Sequence, residues 1–191
     1  MIEPIAALVK LNGNPIFPLK VVPQDWTAAK RFFGAERPKR DKDNNVIGTR
    51  THAGCDLMVK ATTEVVAVAD GAVFAIDPFL FGMKMIQVNH DGFIAVYGEV
   101  VPSDGLKPGQ PVKQGDTIAT VANQGSESQL HFELYITGEK RRVLLPSGAM
   151  PQDVKLKPYN RALLPTDPNP YLRQWVKALY AIPSLRLADA N

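Results

Sequence analysis

From residue 50 to 137 the apolar positions come in short Val- and Ile-rich runs, broken at close spacing by Gly, Pro, Asn and Asp. That pattern predicts a compact antiparallel β domain. Val65 to Val68 reads as a strand, Asp70-Gly71 as a tight hairpin turn, and Ala72 to Ile76 as the returning strand. Met83 to Val88 and Phe93 to Val100 flank Asn89-His90-Asp91-Gly92, which reads as a turn with His90 at the surface. Pro108-Gly109 and Gln114-Gly115 punctuate the approach to a strand at Thr117 to Val121. Gln129 to Ile136 alternates cleanly, with Leu130, Phe132, Leu134 and Ile136 on one face and Gln129, His131 and Glu133 on the other.

The flanks follow other rules. Pro15, Pro18 and Pro23 favour extended or turn structure. Gln24 to Phe33 predicts one short helix with Trp26, Ala29, Phe32 and Phe33 on one face. Arg37 to Arg40, broken by Pro38, and Asp41 to Asn45 read as solvated loop. Residues 138–168 are irregular and proline-punctuated. A helix starts near Asn169 with Pro170 in its first turn, and Leu172, Trp175, Val176 and Leu179 form a stripe that should pack on the sheet. The expected architecture is mainly β: a compact antiparallel sheet with a groove over 50–137, an N-terminal extension over 1–49, a C-terminal segment over 138–191, and a few flanking helices.

Composition narrows the function classes. A chain of 191 residues suits one domain, and 45% hydrophobic content is ordinary for a globular protein. The net charge of +3 and pI near 9.0 fit an anionic partner. No basic block meets interleaved aromatics, which argues against nucleic acid. Cys55 is the sole cysteine, so no intrachain disulfide forms, and a small buried hydrophobe is its expected role. Ile5 to Val9 is apolar, but Glu3 precedes it and Lys10 ends it, so no signal peptide is expected. No run approaches the roughly 18 apolar residues of a membrane span, and no membrane insertion is expected.

Candidate chemistry centres on three histidines, His52, His90 and His131. His52 and Asp56 stand four apart, and the strand alternation turns His131 away from the apolar face. Two imidazoles and one carboxylate with a fourth position open for water are the donor set of a catalytic zinc site. Glu133, two residues after His131, could orient its ring. Arg50, two residues before His52, could face the site and bind a substrate carboxylate.

The strings His52-Ala53-Gly54-Cys55-Asp56-Leu57 and Leu130-His131-Phe132-Glu133-Leu134 resemble the two metal-binding motifs of peptidase family M23, the lysostaphin/LytM type of zinc metallopeptidase. Between them, Val65 to Val73 resembles the family's first hairpin, and Val112 to Ile118 resembles its turn before the last strand pair. The resemblance covers about residues 50–137. It implies His52, Asp56 and His131 as ligands of Zn2+. It also implies two further histidines, where this chain has Glu99 and Gln129. A carboxylate can serve as general base, so Glu99 is expected in that role. Gln129 is expected as a positioning donor that can reach a developing oxyanion. By alternation Tyr97 and Glu99 share a strand face with Phe93 and Ala95, and Tyr97 is expected to line the groove and touch substrate.

The resemblance implies a zinc-dependent endopeptidase that cleaves peptide cross-links of bacterial peptidoglycan. The alternative is a degenerate member that binds the wall or regulates. A wall enzyme without a leader implies non-classical delivery to the periplasm or exterior, by a secretion system or a phage particle, or retention in the cytoplasm until release. Gly82-Met83-Lys84-Met85 resembles the modified hairpin of biotin carriers. The turn that precedes the lysine there is absent here, so Lys84 is expected as an outward strand residue between buried methionines.

Overall fold

The computed structural model describes residues 8–41, 43, 45–136 and 165–180. Residues 5–7 of the apolar N-terminal run and the irregular stretch expected at 138–164 lie outside the described residues. In chain order the elements are β1 (Glu36–Arg40), β2 (Val46–Thr51), β3 (Cys55–Met58), β4 (Glu64–Val66), β5 (Gly71–Pro78), β6 (Lys84–His90), β7 (Phe93–Pro102), β8 (Pro111–Val112), β9 (Thr117–Val121), β10 (Gln129–Ile136) and α1 (Asn169–Tyr180). The main sheet is antiparallel in the order β3-β10-β7-β6-β5-β8, with β9 joining β7 to β4. β1 and β2 form a separate hairpin. This is the mainly β, antiparallel architecture that the sequence predicts.

Period-two alternation places the core. Leu130, Phe132 and Leu134 of β10 meet Phe93, Ala95 and Tyr97 of β7 and Cys55 and Leu57 of β3 in one apolar cluster. Cys55 is fully buried, and burial pushes its thiol up to about 12, which suits an inert hydrophobe. α1 closes the cluster as its stripe predicts. Leu172, Trp175 and Val176 are buried, and Trp175 meets Phe132 edge-on with ring centroids 6.3 Å apart. From the N-terminal side, Leu11, Phe17, Leu19, Val22 and Trp26 enter the same cluster. Among the described residues no helix is long and apolar enough to cross a membrane.

Four local readings change. Gln24 to Phe33 is not a helix: Ala29 and Lys30 take φ of 50° and 65°, and the Asp25 carboxylate accepts the N–H of Thr27 in a turn. Trp26 is anchored instead by tertiary contacts, packing on Phe17 and donating its indole N–H to Asn169 Oδ1 at 3.1 Å. Phe32 is left exposed. Arg37 to Arg40 is strand rather than loop, and Pro38 is tolerated because a two-stranded hairpin leaves each strand an outer edge that needs no donor.

Asp70-Gly71 does not close a hairpin. β4 pairs with β9, and β5 pairs with β6 and β8. Gly71 is needed for close approach: a Cβ there would lie 2.6 Å from the Asn89 carbonyl oxygen and 2.7 Å from the His90 ring. His90 is a buried residue at the end of β6 rather than a surface turn residue. It stacks on Phe93 and donates from Nδ1 to the Asp70 carbonyl at 2.9 Å. Lys84 points outward at the start of β6, between buried Met85 and half-buried Met83.

Candidate metal centre

The chain passes from β2 to β3 through His52-Ala53-Gly54. A Cβ at Gly54 would lie 2.3 Å from the Phe132 carbonyl oxygen. Glycine there lets this loop press onto β10. β3 then pairs with β10 so that Asp56 stands directly opposite His131, and directly opposed residues share a face. On the other side of β10, His131 pairs with Gly98 of β7. A side chain at 98 would crowd the His131 ring and Phe79, each 3.3 Å from the added carbon.

These constraints bring His52, Asp56 and His131 together, all three buried. His52 Nε2 lies 3.1 Å from Asp56 Oδ1 and 3.2 Å from His131 Nδ1. His131 Nδ1 lies 2.9 Å from Asp56 Oδ1. The outer nitrogens fix which lone pairs point inward. His52 Nδ1 sits 2.9 Å from the Phe32 carbonyl oxygen, which can only accept, so Nδ1–H donates and Nε2 keeps its lone pair. His131 Nε2 donates to Glu133 Oε1 at 2.8 Å, so Nδ1 faces inward. Glu133 is fully buried and takes a second hydrogen bond from the Tyr135 hydroxyl at 2.6 Å.

Two imidazole lone pairs and a carboxylate oxygen at such distances repel unless one positive charge sits among them. A proton can supply it. Burial lowers the His131 pKa, but the hydrogen bonds to Asp56 and Glu133 outweigh burial and carry it up to about 10. Burial raises the Asp56 pKa, and the hydrogen bond from protonated His131 more than reverses this, holding it well below the usual carboxylate range. A divalent metal can supply the charge as well and competes for the same lone pair. A tetrahedral ion with bonds of about 2.0–2.1 Å spaces its ligands roughly 3.3–3.4 Å apart, only a few tenths wider than this triangle. The donor set and its spacing fit such an ion.

Beside the triangle lies a second polar group. Glu99 is the extra residue of a bulge in β7: Val100 pairs with Lys84, Gly98 pairs with Met85, and Glu99 takes φ 63°. Strict alternation would have put Glu99 in the core beside Tyr97. The bulge sends Val100 inward instead and turns Glu99 toward Gln129 and Gln124. Their side-chain amides donate to Glu99 Oε2 at 3.0 and 2.6 Å. Gln129 shares the outward face of β10 with His131, one two-residue step of about 6.6 Å away.

Tyr97 does not share a face with Glu99. It is fully buried, and its hydroxyl accepts the Val68 N–H at 3.0 Å, so the expected substrate contact is a core residue. Arg50 is half-buried on β2, directly across the hairpin from Arg37.

The sequence offered no signal for three contributors. Arg37 donates from Nη2 to Asp56 Oδ2, although its neighbourhood read as solvated loop. The Phe32 carbonyl that orients His52 belongs to the main chain, which residue patterns do not report. Gln124 lies in a short loop whose identity said nothing about its reach.

Residues 50–143 match the family model described as peptidase family M23. Among solved structures, LytU is similar over 79% of this chain and 90% of its own, at 22% identity and a TM-score of 0.48. The catalytic domain of lysostaphin from Staphylococcus simulans is similar over 74% of this chain and 89% of its own, at 19% identity and a TM-score of 0.48. Against the longer lysostaphin chain, 65% of this chain matches 45% of that one, at 19% identity and a TM-score of 0.46, so this chain spans less than half its length. No curated protein matches. The chain thus carries a match to peptidase family M23 over residues 50–143.

Proposed function

We propose that the chain is a zinc-dependent endopeptidase acting on the peptide cross-links of bacterial peptidoglycan, with His52, Asp56 and His131 holding the ion. The observation behind this reading is the buried triangle of two imidazole nitrogens and one carboxylate oxygen, with sides of 2.9–3.2 Å. Bound zinc would polarise the scissile carbonyl and lower the pKa of a water. The wall as target is supported by the match to peptidase family M23 and by the similar protein lysostaphin being described as an antimicrobial peptidase. The mild positive charge suits an anionic polymer.

In this reading Glu99 is the general base. Gln124 and Gln129 both donate to Oε2, which fixes the carboxylate and leaves Oε1 to take a proton. One N–H of the Gln129 amide goes to Glu99, and the other is available to a developing oxyanion. Arg50, at the edge formed by the hairpin, would meet a substrate carboxylate. A second reading, a wall-binding or regulatory module without catalysis, is favoured by the amide contacts that engage Glu99.

Release of peptides from purified peptidoglycan separates the two. Removing a general base typically costs about 10²–10⁴-fold in rate. Glu99→Gln should bind zinc like the wild type and lose activity by that factor, with Gln129→Ala losing less. Equal rates for wild type and Glu99→Gln would refute the base assignment. A zinc-loaded wild type that binds muropeptides and releases nothing would establish the second reading.

A further inference from the structure

Asp56 uses its two oxygens differently. Oδ1 faces the two imidazoles at 2.9 and 3.1 Å. Oδ2 is turned away from them and accepts from Arg37 Nη2. The Asp56 side chain is 3% exposed and that of Arg37 25%, so the guanidinium closes the outer wall of the site. Arg37 lies outside the residues that match the family model, on a hairpin that pairs with no strand of the main sheet.

Arg37 does not act alone. The segment that leads into β1 wraps the loop bearing the first two donors. The Asp56 N–H donates to the Arg31 carbonyl at 2.9 Å, and the His52 N–H to the Ala35 carbonyl at 2.9 Å. The Gly34 N–H returns to the His52 carbonyl at 2.9 Å, and the His52 ring donates to the Phe32 carbonyl. Backbone contacts thus hold the loop and one imidazole, and Arg37 holds the carboxylate.

We propose that Arg37 is a positioning residue of the metal centre. It occupies Oδ2 so that Asp56 presents a single oxygen, and with residues 31–35 it sets His52 and Asp56 in place before an ion arrives. The inference rests on the metal-binding reading above. A guanidinium suits the task because it is permanently charged and donates to Oδ2 through Nη2 from a rigid planar head, which a flexible ammonium lacks. A carboxylate released from it would rotate and offer both oxygens to the ion.

The test uses the full chain stripped of metal with a chelator, then titrated with Zn2+ against a competing chelating dye and separately with Co2+. Losing an outer partner of a metal ligand typically costs about 10–100-fold in affinity. Arg37→Met should weaken Zn2+ binding by that factor, and Arg37→Lys by less. With Co2+, the visible absorption of Arg37→Met should weaken as a two-oxygen carboxylate raises the coordination number. Wild-type Zn2+ affinity and an unchanged Co2+ spectrum in Arg37→Met, even with a lowered Tm, would reduce the contact to an ordinary salt bridge and overturn the proposal. If Arg37→Met does not fold, wild-type affinity and spectrum in Arg37→Lys would overturn it. A wild type that binds neither ion would bring down the metal-binding reading itself, a result distinguishable from a variant that matches a metal-binding wild type.

Discussion

His90 makes acid sensitivity predictable from a single ring. Its Nδ1–H donates to the Asp70 carbonyl, and its Nε2 is buried with no partner among the described residues. Protonation would place a charged N–H there with nothing to accept it. Burial accordingly takes the His90 pKa from 6.5 down to about 4, against smaller upward pulls from the Asp70 and Ala69 backbone and the Asp70 charge. Between these two values the unfolded chain binds more protons than the folded one, so stability must fall as pH drops from about 6.5 toward about 4. At about 1.4 kcal/mol for each pH unit, the full loss is about 3 kcal/mol, a large fraction of the roughly 5–15 kcal/mol that holds a domain folded. The comparison is His90→Gln, which stays neutral and keeps an amide N–H for the Asp70 carbonyl. Denaturant unfolding of both proteins at a series of pH values from 4 to 8 gives the stability difference at each. The wild type should lead at pH 8, and its lead should shrink by about 3 kcal/mol by pH 4. A lead that stays constant across the series would refute the reasoning, because the buried ring would then not be resisting its proton.

Other expectations follow from packing and from the site. Trp175→Ala removes a buried ring that meets Phe132 edge-on, and unfolding should show a loss of about 3–5 kcal/mol; an unchanged midpoint would mean that α1 adds nothing to the core. Glu133→Gln keeps an oxygen for His131 Nε2 but removes the buried charge, so zinc affinity should fall by roughly 10–100-fold while the metal-free fold persists; equal affinity by competitive titration would count against it.

The readable parts of this fold were those set by side-chain period. The alternation of β10 placed Leu130, Phe132 and Leu134 inward and His131 outward, and the α1 stripe announced its buried face. The donor residues were visible through the likeness of the strings His52 to Leu57 and Leu130 to Leu134 to family motifs, since the spacing of His52 and Asp56 alone is a weak signal. What failed to show was settled by backbone irregularity or by distance along the chain. The left-handed pair Ala29 and Lys30 breaks a pattern that looked helical. The bulge at Glu99 reverses one step of an alternation that would otherwise have put a carboxylate in the core, and it separates Glu99 from Tyr97. Arg37 reaches a partner 19 residues away across a hairpin, and no local pattern reports such a meeting. His90 looked like a turn residue because the turn closes one residue later, at Asp91-Gly92, with Gly92 at φ 83°.

Metal content tests the central claim most directly. Wild-type protein purified in the presence of zinc, then freed of loosely bound ions and assayed by elemental analysis, should retain about one zinc per chain. His131→Ala, folded by the same spectroscopic criteria, should retain none. A folded wild type that stays free of zinc after loading at neutral pH would contradict the account, because the triangle of His52, Asp56 and His131 would then be closed by a proton alone.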